Sequence, residues 1–358
     1  MPQETEILDG VVNSTNDEMA SNTAVTLYDS NYWCDRLHPD FQFIARMPQM
    51  NLDSWFKTTL FSTVTKIIPL PRIPPNITKE NVAGIGVYFS TKSDSRKKRV
   101  PAAVLWIHGG GRIVGSPYGH IETSSCLKIC EDLNVPVLAA YYRLAPKHPF
   151  PAALDDLTKA YIWLSSHLES RRTDEDQDEQ IRIALAGDSA GGGLAAELCQ
   201  KLLDESDGTG RPTPLPVAQL LIYPMLDDRT CVDTQYDCLP PHLLWNNKSN
   251  MYGWSSYLGQ KNKPGDDTLP DYASASRRKD LSNLPPAYIV CGDLDLFLGE
   301  CRDYAQRLRE HGVHVEYEEI IGGVHGMLSI GDGKDPVIKL WKSFQSFGEK
   351  YLSLADEC

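Results

Sequence analysis

Five residues, Gly187-Asp188-Ser189-Ala190-Gly191, set a serine between glycines, after an apolar strand-like run and before a helix-like one. A strand–turn–helix of this kind holds the serine on a strained turn and lifts its hydroxyl above the sheet. It also puts the hydroxyl beside the free amides at the positive end of a helix. Flanking glycines relieve the clashes a Cβ would cause at so sharp a turn. The chemistry this suits is nucleophilic attack on an acyl carbon. An unactivated hydroxyl is a poor nucleophile, so a histidine must take its proton and a carboxylate must hold that histidine's tautomer. Alone the pattern is weak, because a glycine-rich helix start would also explain it.

A second pattern supplies what acyl chemistry needs next. His108-Gly109-Gly110-Gly111 follows an apolar run at Ala102–Ile107. A carbonyl under attack becomes an oxyanion that preorganised N–H groups must meet. The expected donors are the amides of Gly109, Gly110 and Gly111, with Ala190 after the nucleophile. A phosphate loop would need Gly-Lys-Ser or Gly-Lys-Thr, which is absent. His108 reads as a brace for this loop. Of the histidines after Ser189, His311 ends a helix, His314 lies in a strand and His242 falls in a presumed cap. His325, in Gly322-Gly323-Val324-His325-Gly326 after the last strand, is the expected base. The acid should follow the run Ala287–Cys291. Asp293 and Asp295 both stand there, and spacing does not separate them.

The elements that must position these residues form an alternating series. Strands are expected at Val82–Ser90, Ala102–Ile107, Val135–Tyr142, Ile181–Ala186, Val217–Tyr223, Ala287–Cys291 and Val313–Ile320. Helices are expected at Ala152–His167, Ala190–Asp204, Gly299–Glu310 and Asp335–Tyr351. The alternation predicts an α/β class with a mostly parallel central sheet and helices on both faces. Residues 1–22 read as a mobile tail and 76–358 as the catalytic domain. Residues 23–75 and 228–280 break the alternation and read as two parts of a cap on the loop side of the sheet. The apolar Trp33, Trp55, Phe56 and Phe61 are expected to pack within it.

Composition narrows the partners. The chain has 358 residues, 41% of them hydrophobic, and a net charge of −13. An acidic chain repels phosphate backbones, so no nucleic acid is expected. No apolar run is long enough to span a membrane. The acidic N-terminus lacks signal-peptide character, so a cytoplasmic location with the nine cysteines reduced is expected. Cys126 and Cys130 sit one helical turn apart without a partner pair, so neither a metal nor a cofactor is expected. The sequons at Asn13, Asn76 and Asn247 read as chance matches. A homodimer is compatible with all of this.

The combined motifs resemble the hormone-sensitive-lipase-like family of α/β-hydrolases, which includes many microbial carboxylesterases. That family pairs HGGG with GDSAG, here His108–Gly111 and Gly187–Gly191. Its stretch close to YRLAPEHPFPAALDD matches Tyr142–Pro146 and His148–Asp156. Its LIYP matches Leu221–Pro224, and its His-Gly pair matches His325-Gly326. The resemblance spans roughly residues 80–350. Aligning Glu300 and the helix after it makes Asp295 the acid, and a cap built partly from the N-terminus is implied. The chain departs from the family at Arg112, where an aromatic residue is usual, at Lys147 for glutamate, and at Leu296 for the proline after the acid. Arg112 is expected to point to solvent and pair with an acid, the alternative being that it meets a carboxylate or phenolate on a substrate. The reading is a serine carboxylic-ester hydrolase for a small-molecule ester or lactone. Acyl transfer, lactonisation or elimination on the same triad is the first rival, and a non-enzymatic receptor on the same scaffold the second.

Overall fold

A computed structural model describes residues 34–47, 51–92, 101–172, 179–206, 214–234 and 244–352. The expected tail, Trp33 and His242 lie outside the described residues, as do Tyr236 of the second cap segment and a short basic run, Arg96-Lys97-Lys98-Arg99, that reads as a solvated turn. In chain order the elements are α1 (Trp55–Thr65), β1 (Ile77–Val82), β2 (Gly86–Thr91), β3 (Ala102–Ile107), α2 (His120–Asp132), β4 (Val137–Ala140), α3 (Ala152–Glu169), β5 (Arg182–Asp188) and α4 (Ala190–Ser206). Then come β6 (Ala218–Ile222), α5 (Asn247–Leu258), β7 (Ala287–Gly292), α6 (Leu298–Glu310), β8 (Val315–Ile320), the short α7 (Met327–Ile330) and α8 (Asp335–Leu352).

The eight strands form one sheet in the order β1-β2-β4-β3-β5-β6-β7-β8. β1 and β2 are antiparallel to their neighbours, and the other six strands run parallel. Every residue of β3, β4, β6 and β7 is buried, as apolar strands covered on both faces must be. α2 and α8 cover one face, joined where Gln345 Nε2 donates to the Asp132 carbonyl (3.2 Å). α3, α4 and α6 cover the other, and Gln200 of α4 donates to the Tyr304 hydroxyl of α6 (3.3 Å).

The register sets the site. Ile107 pairs with Gly187, Asp188 with Ile222, and Gly292 with Ile320. The residues immediately after β3, β5, β7 and β8 therefore emerge side by side at the carboxyl edge.

The sequence reading did not anticipate the helices α1, α5 and the short α7, and two further elements differ from it. The strand expected at Val82–Ser90 straddles a turn, because Val82 ends β1 and pairs with Gly86 at the start of β2. The edge strand β1 is mostly exposed, so Ile-Thr-Lys-Glu-Asn-Val carries no apolar run to betray it. α2 was not anticipated, since its buried side is built largely of Thr123, Ser125, Cys126 and Cys130. Both cysteines are buried there, and the seven described cysteines are free thiols. Asn247 is buried as well, which agrees with reading its sequon as chance.

The two segments expected to form a cap touch. The Leu52 N–H donates to Ser249 Oγ (2.9 Å), and Asn246 Nδ2 donates to Asn51 Oδ1 (2.6 Å). The expectation that Trp55 and Phe56 pack inward is overturned: they are 66% and 69% exposed. α1 turns its Thr58 side toward the protein instead.

Candidate active site

Ser189 begins the turn from β5 into α4 with φ of +52°. Local hydrogen bonds hold this strained backbone: the Ser189 N–H donates to Ile222 (2.9 Å), and its carbonyl accepts from Met225 (2.9 Å) and Gly193 (3.1 Å). Glycine is obligatory at 191, where a Cβ would lie 2.0 Å from the Ile107 carbonyl oxygen. The turn is thereby pressed against the end of β3, beside the glycine run.

His325 reaches Ser189 from the loop after β8. Its Nε2 lies 2.9 Å from Ser189 Oγ, and its Nδ1 lies 2.9 and 3.1 Å from the two carboxylate oxygens of Asp295. All three side chains are buried. Asp295 is fixed in turn by the Phe297 N–H donating to its Oδ1 (2.8 Å). Asp293 points elsewhere: it pairs with Arg36 (2.9 Å) and accepts the Gly322 N–H (2.6 Å). Of the two aspartates, Asp295 is the one within hydrogen-bond distance of His325.

Three aromatic rings that sequence reasoning missed enclose the imidazole. Tyr223 and Phe297 meet it edge-on at 4.9 and 5.0 Å, and Trp245 lies at 6.4 Å. Tyr223 sits in the matched LIYP stretch, so a signal for it existed. Trp245 also presses on the glycine loop, because a Cβ at Gly111 would fall 2.2 Å from its ring.

The glycine loop requires one correction. Gly109 was expected to offer its amide to an oxyanion, but that N–H donates to Asp188 Oδ1 (2.9 Å). An amide committed to a carboxylate is not available to a substrate. Gly110, Gly111 and Ala190 donate to no acceptor among the described residues. His108 lies behind the loop, stacked on Tyr142 at 4.2 Å, with Nδ1 2.8 Å from the Gly109 carbonyl. Burial pushes its pKa down to about 4. It is therefore a neutral brace.

Asp188 is itself under stress. Burial pushes its pKa up to about 6, while the Gly109 amide and His325 oppose the rise. Neighbouring Glu122 is raised to about 8, first by burial and then by Asp188. The unfolded chain releases the Asp188 proton near pH 4 and the folded chain near pH 6, so folding stability is lost as pH rises through that window. Asp188→Asn keeps an oxygen for the Gly109 N–H and removes the charge. Its stability relative to the wild type should increase from pH 4 to pH 6 and then level off. Denaturant midpoints across pH 4 to 8 test this, and a difference independent of pH would contradict it.

Arg112 also departs from expectation. It pairs with an acid, but at 1% exposure it does not reach solvent. Its guanidinium lies 2.7 Å from Glu197 Oε1, in a corner formed by the rings of Trp254 and Tyr257 at 4.2 and 4.1 Å, which meet each other edge-on. Tyr257 adds a hydrogen bond to Glu197 (3.2 Å). Contact with two rings explains how a guanidinium occupies a position suited to an aromatic side chain. Glu197→Ala would strand a buried cation and should cost about 3–5 kcal/mol, whereas Arg112→Met with Glu197→Leu should cost far less. Equilibrium unfolding in urea distinguishes the two. A cost below ~1 kcal/mol for Glu197→Ala would contradict the account.

Comparison with known proteins agrees with this architecture. The family described as alpha/beta hydrolase fold matches residues 104–329. The chain is 31% identical over 270 residues to the carboxylic ester hydrolase LipN of Mycobacterium tuberculosis, covering 75% of this chain and 68% of that protein. It is 30% identical over 266 residues to Lipase 2 of Moraxella sp., covering 67% of this chain but only 58% of the relative's length. Among solved structures, a bacterial heroin esterase superposes with a TM-score of 0.74 at 27% identity, over 89% of this chain and 98% of that one. Among the described residues no helix is long and apolar enough to cross a membrane.

Proposed function

Because the chain belongs to the hormone-sensitive-lipase-like family of α/β-hydrolases, we propose that it is a serine carboxylic-ester hydrolase acting on small to medium apolar esters or lactones. The observation that carries the reading is the unbroken line Ser189 Oγ, His325 Nε2, His325 Nδ1, Asp295, drawn from the ends of three strands. Ser189 attacks the carbonyl as His325 takes its proton. The amides of Gly110, Gly111 and Ala190 receive the oxyanion. His325 then protonates the leaving alcohol, and a water deprotonated by His325 frees the acid. Asp295 keeps Nδ1 protonated and stabilises the imidazolium throughout.

The cap belongs to this proposal. Contacts of Asn51 and Leu52 with Asn246 and Ser249 tie its two parts together. α5 lies on the glycine loop, where a Cβ at Gly253 would fall 2.9 Å from the Gly111 carbonyl oxygen. Such a roof excludes water and shapes an acyl pocket.

A series of nitrophenyl esters of increasing chain length, beside a panel of lactones, tests the reaction. The expected result is release of nitrophenol from short and medium chains with water as the sole acceptor. Turnover seen only after an alcohol or amine acceptor is added would replace hydrolysis with acyl transfer.

A further inference from the structure

α1 is mounted with its apolar side outward. Thr58, Phe61, Ser62 and Thr65 face the protein, buried or half-buried. Phe56, Leu60, Val64 and, in the turn that follows, Ile67 recur at helical spacing on the opposite side. They are 69%, 54%, 53% and 76% exposed, and Ile68 and Leu70 extend the same surface. Single exposed apolar residues need no explanation, but six within one short segment mark a binding surface. The segment is also anchored. Ser54 caps α1, Leu52 is bonded to Ser249, and the Pro69 carbonyl lies 2.5 Å from His120 Nδ1. The stripe is therefore a fixed platform.

Charge indicates the partner. From residue 54 to residue 79 there is no aspartate or glutamate, and the four basic residues are Lys66, Arg72, Lys79 and Lys57, the last paired with Asp53 (2.7 Å). The whole chain carries −13, which leaves −17 on the rest. A second copy placed face to face would bring an equally basic patch. An anionic lipid surface matches both features: the apolar stripe enters the boundary of the acyl chains while Lys66 and Arg72 stay among the headgroup phosphates. We propose that α1, with the turn and proline-rich stretch after it, is a docking face for anionic phospholipid surfaces. The proposal stands independently of the reaction at Ser189.

Co-sedimentation of the full chain with vesicles of phosphatidylcholine, with and without phosphatidylglycerol, tests it. The wild type should pellet with the mixed vesicles, less with the neutral ones, and less again as salt screens the basic residues. A Phe56→Glu, Leu60→Glu, Ile67→Glu triple variant should lose at least about tenfold in binding, with an unchanged circular dichroism spectrum and melting curve. Lys66→Glu with Arg72→Glu should reduce binding to mixed vesicles to the neutral-vesicle level, and it carries the test if the triple variant fails to fold. A wild type that stays in the supernatant with both vesicles overturns the proposal, as does either variant binding like the wild type. Concentration-dependent dimers that the triple variant converts to monomers, with lipid ignored, would make a second copy the occupant.

Discussion

Ser189→Ala should lower kcat for a nitrophenyl ester by a factor on the order of 10⁶, as when one member of a triad that acts as a unit is removed. The fold should survive. The bonds that hold residue 189 at its positive φ are made by its backbone N–H and carbonyl, to Ile222, Met225 and Gly193. Alanine keeps them all and meets the same backbone strain as serine. Only the hydroxyl 2.9 Å from His325 Nε2 is lost. The amides of Gly110, Gly111 and Ala190 remain, so the residual rate should still exceed that of water alone. Initial rates on variant with an unchanged melting curve check this. A folded variant with near-normal activity would remove Ser189 from the mechanism.

Asp295→Asn should cost about 10⁴ in kcat, because an amide facing His325 Nδ1 favours the wrong tautomer and leaves the imidazolium unsupported. Asp293→Asn should do much less. Asp293 faces Arg36, whose side chain is 37% exposed, and such pairs contribute under about 1 kcal/mol. It also holds the Gly322 N–H, which an asparagine oxygen can accept. Parallel kinetics on both variants separate the two carboxylates. If Asp293→Asn proved the slower enzyme, the assignment would be reversed.

These two aspartates show what the sequence carried and what it did not. Ser189 and His325 were legible because each requires a strand followed by a tight, glycine-rich turn, and both features are local. The acid was not, because Asp293 and Asp295 share the same loop, and only the path of that loop aims one at Nδ1. The error at Gly109 has a similar origin. Its amide is taken by Asp188, a residue 79 positions away that register places beside it. Arg112 reads from sequence as a surface charge, since nothing adjacent reveals that Glu197, Trp254 and Tyr257 converge on it. The parallel core of the sheet was legible from its apolar runs. The exposed edge strand β1 and the polar-patterned α2 were not, because neither buries a continuous apolar stripe.

With the Ser189 hydroxyl as nucleophile, covalent capture should mark that oxygen. A fluorophosphonate is attacked at phosphorus, loses fluoride and leaves its phosphonyl group on an activated serine oxygen. Peptide mass spectrometry should locate that group on Ser189, with loss of esterase activity in proportion to labelling and no labelling in Ser189→Ala. Full loss of activity with the group on another residue, or full activity in protein whose Ser189 is completely modified, would contradict the account.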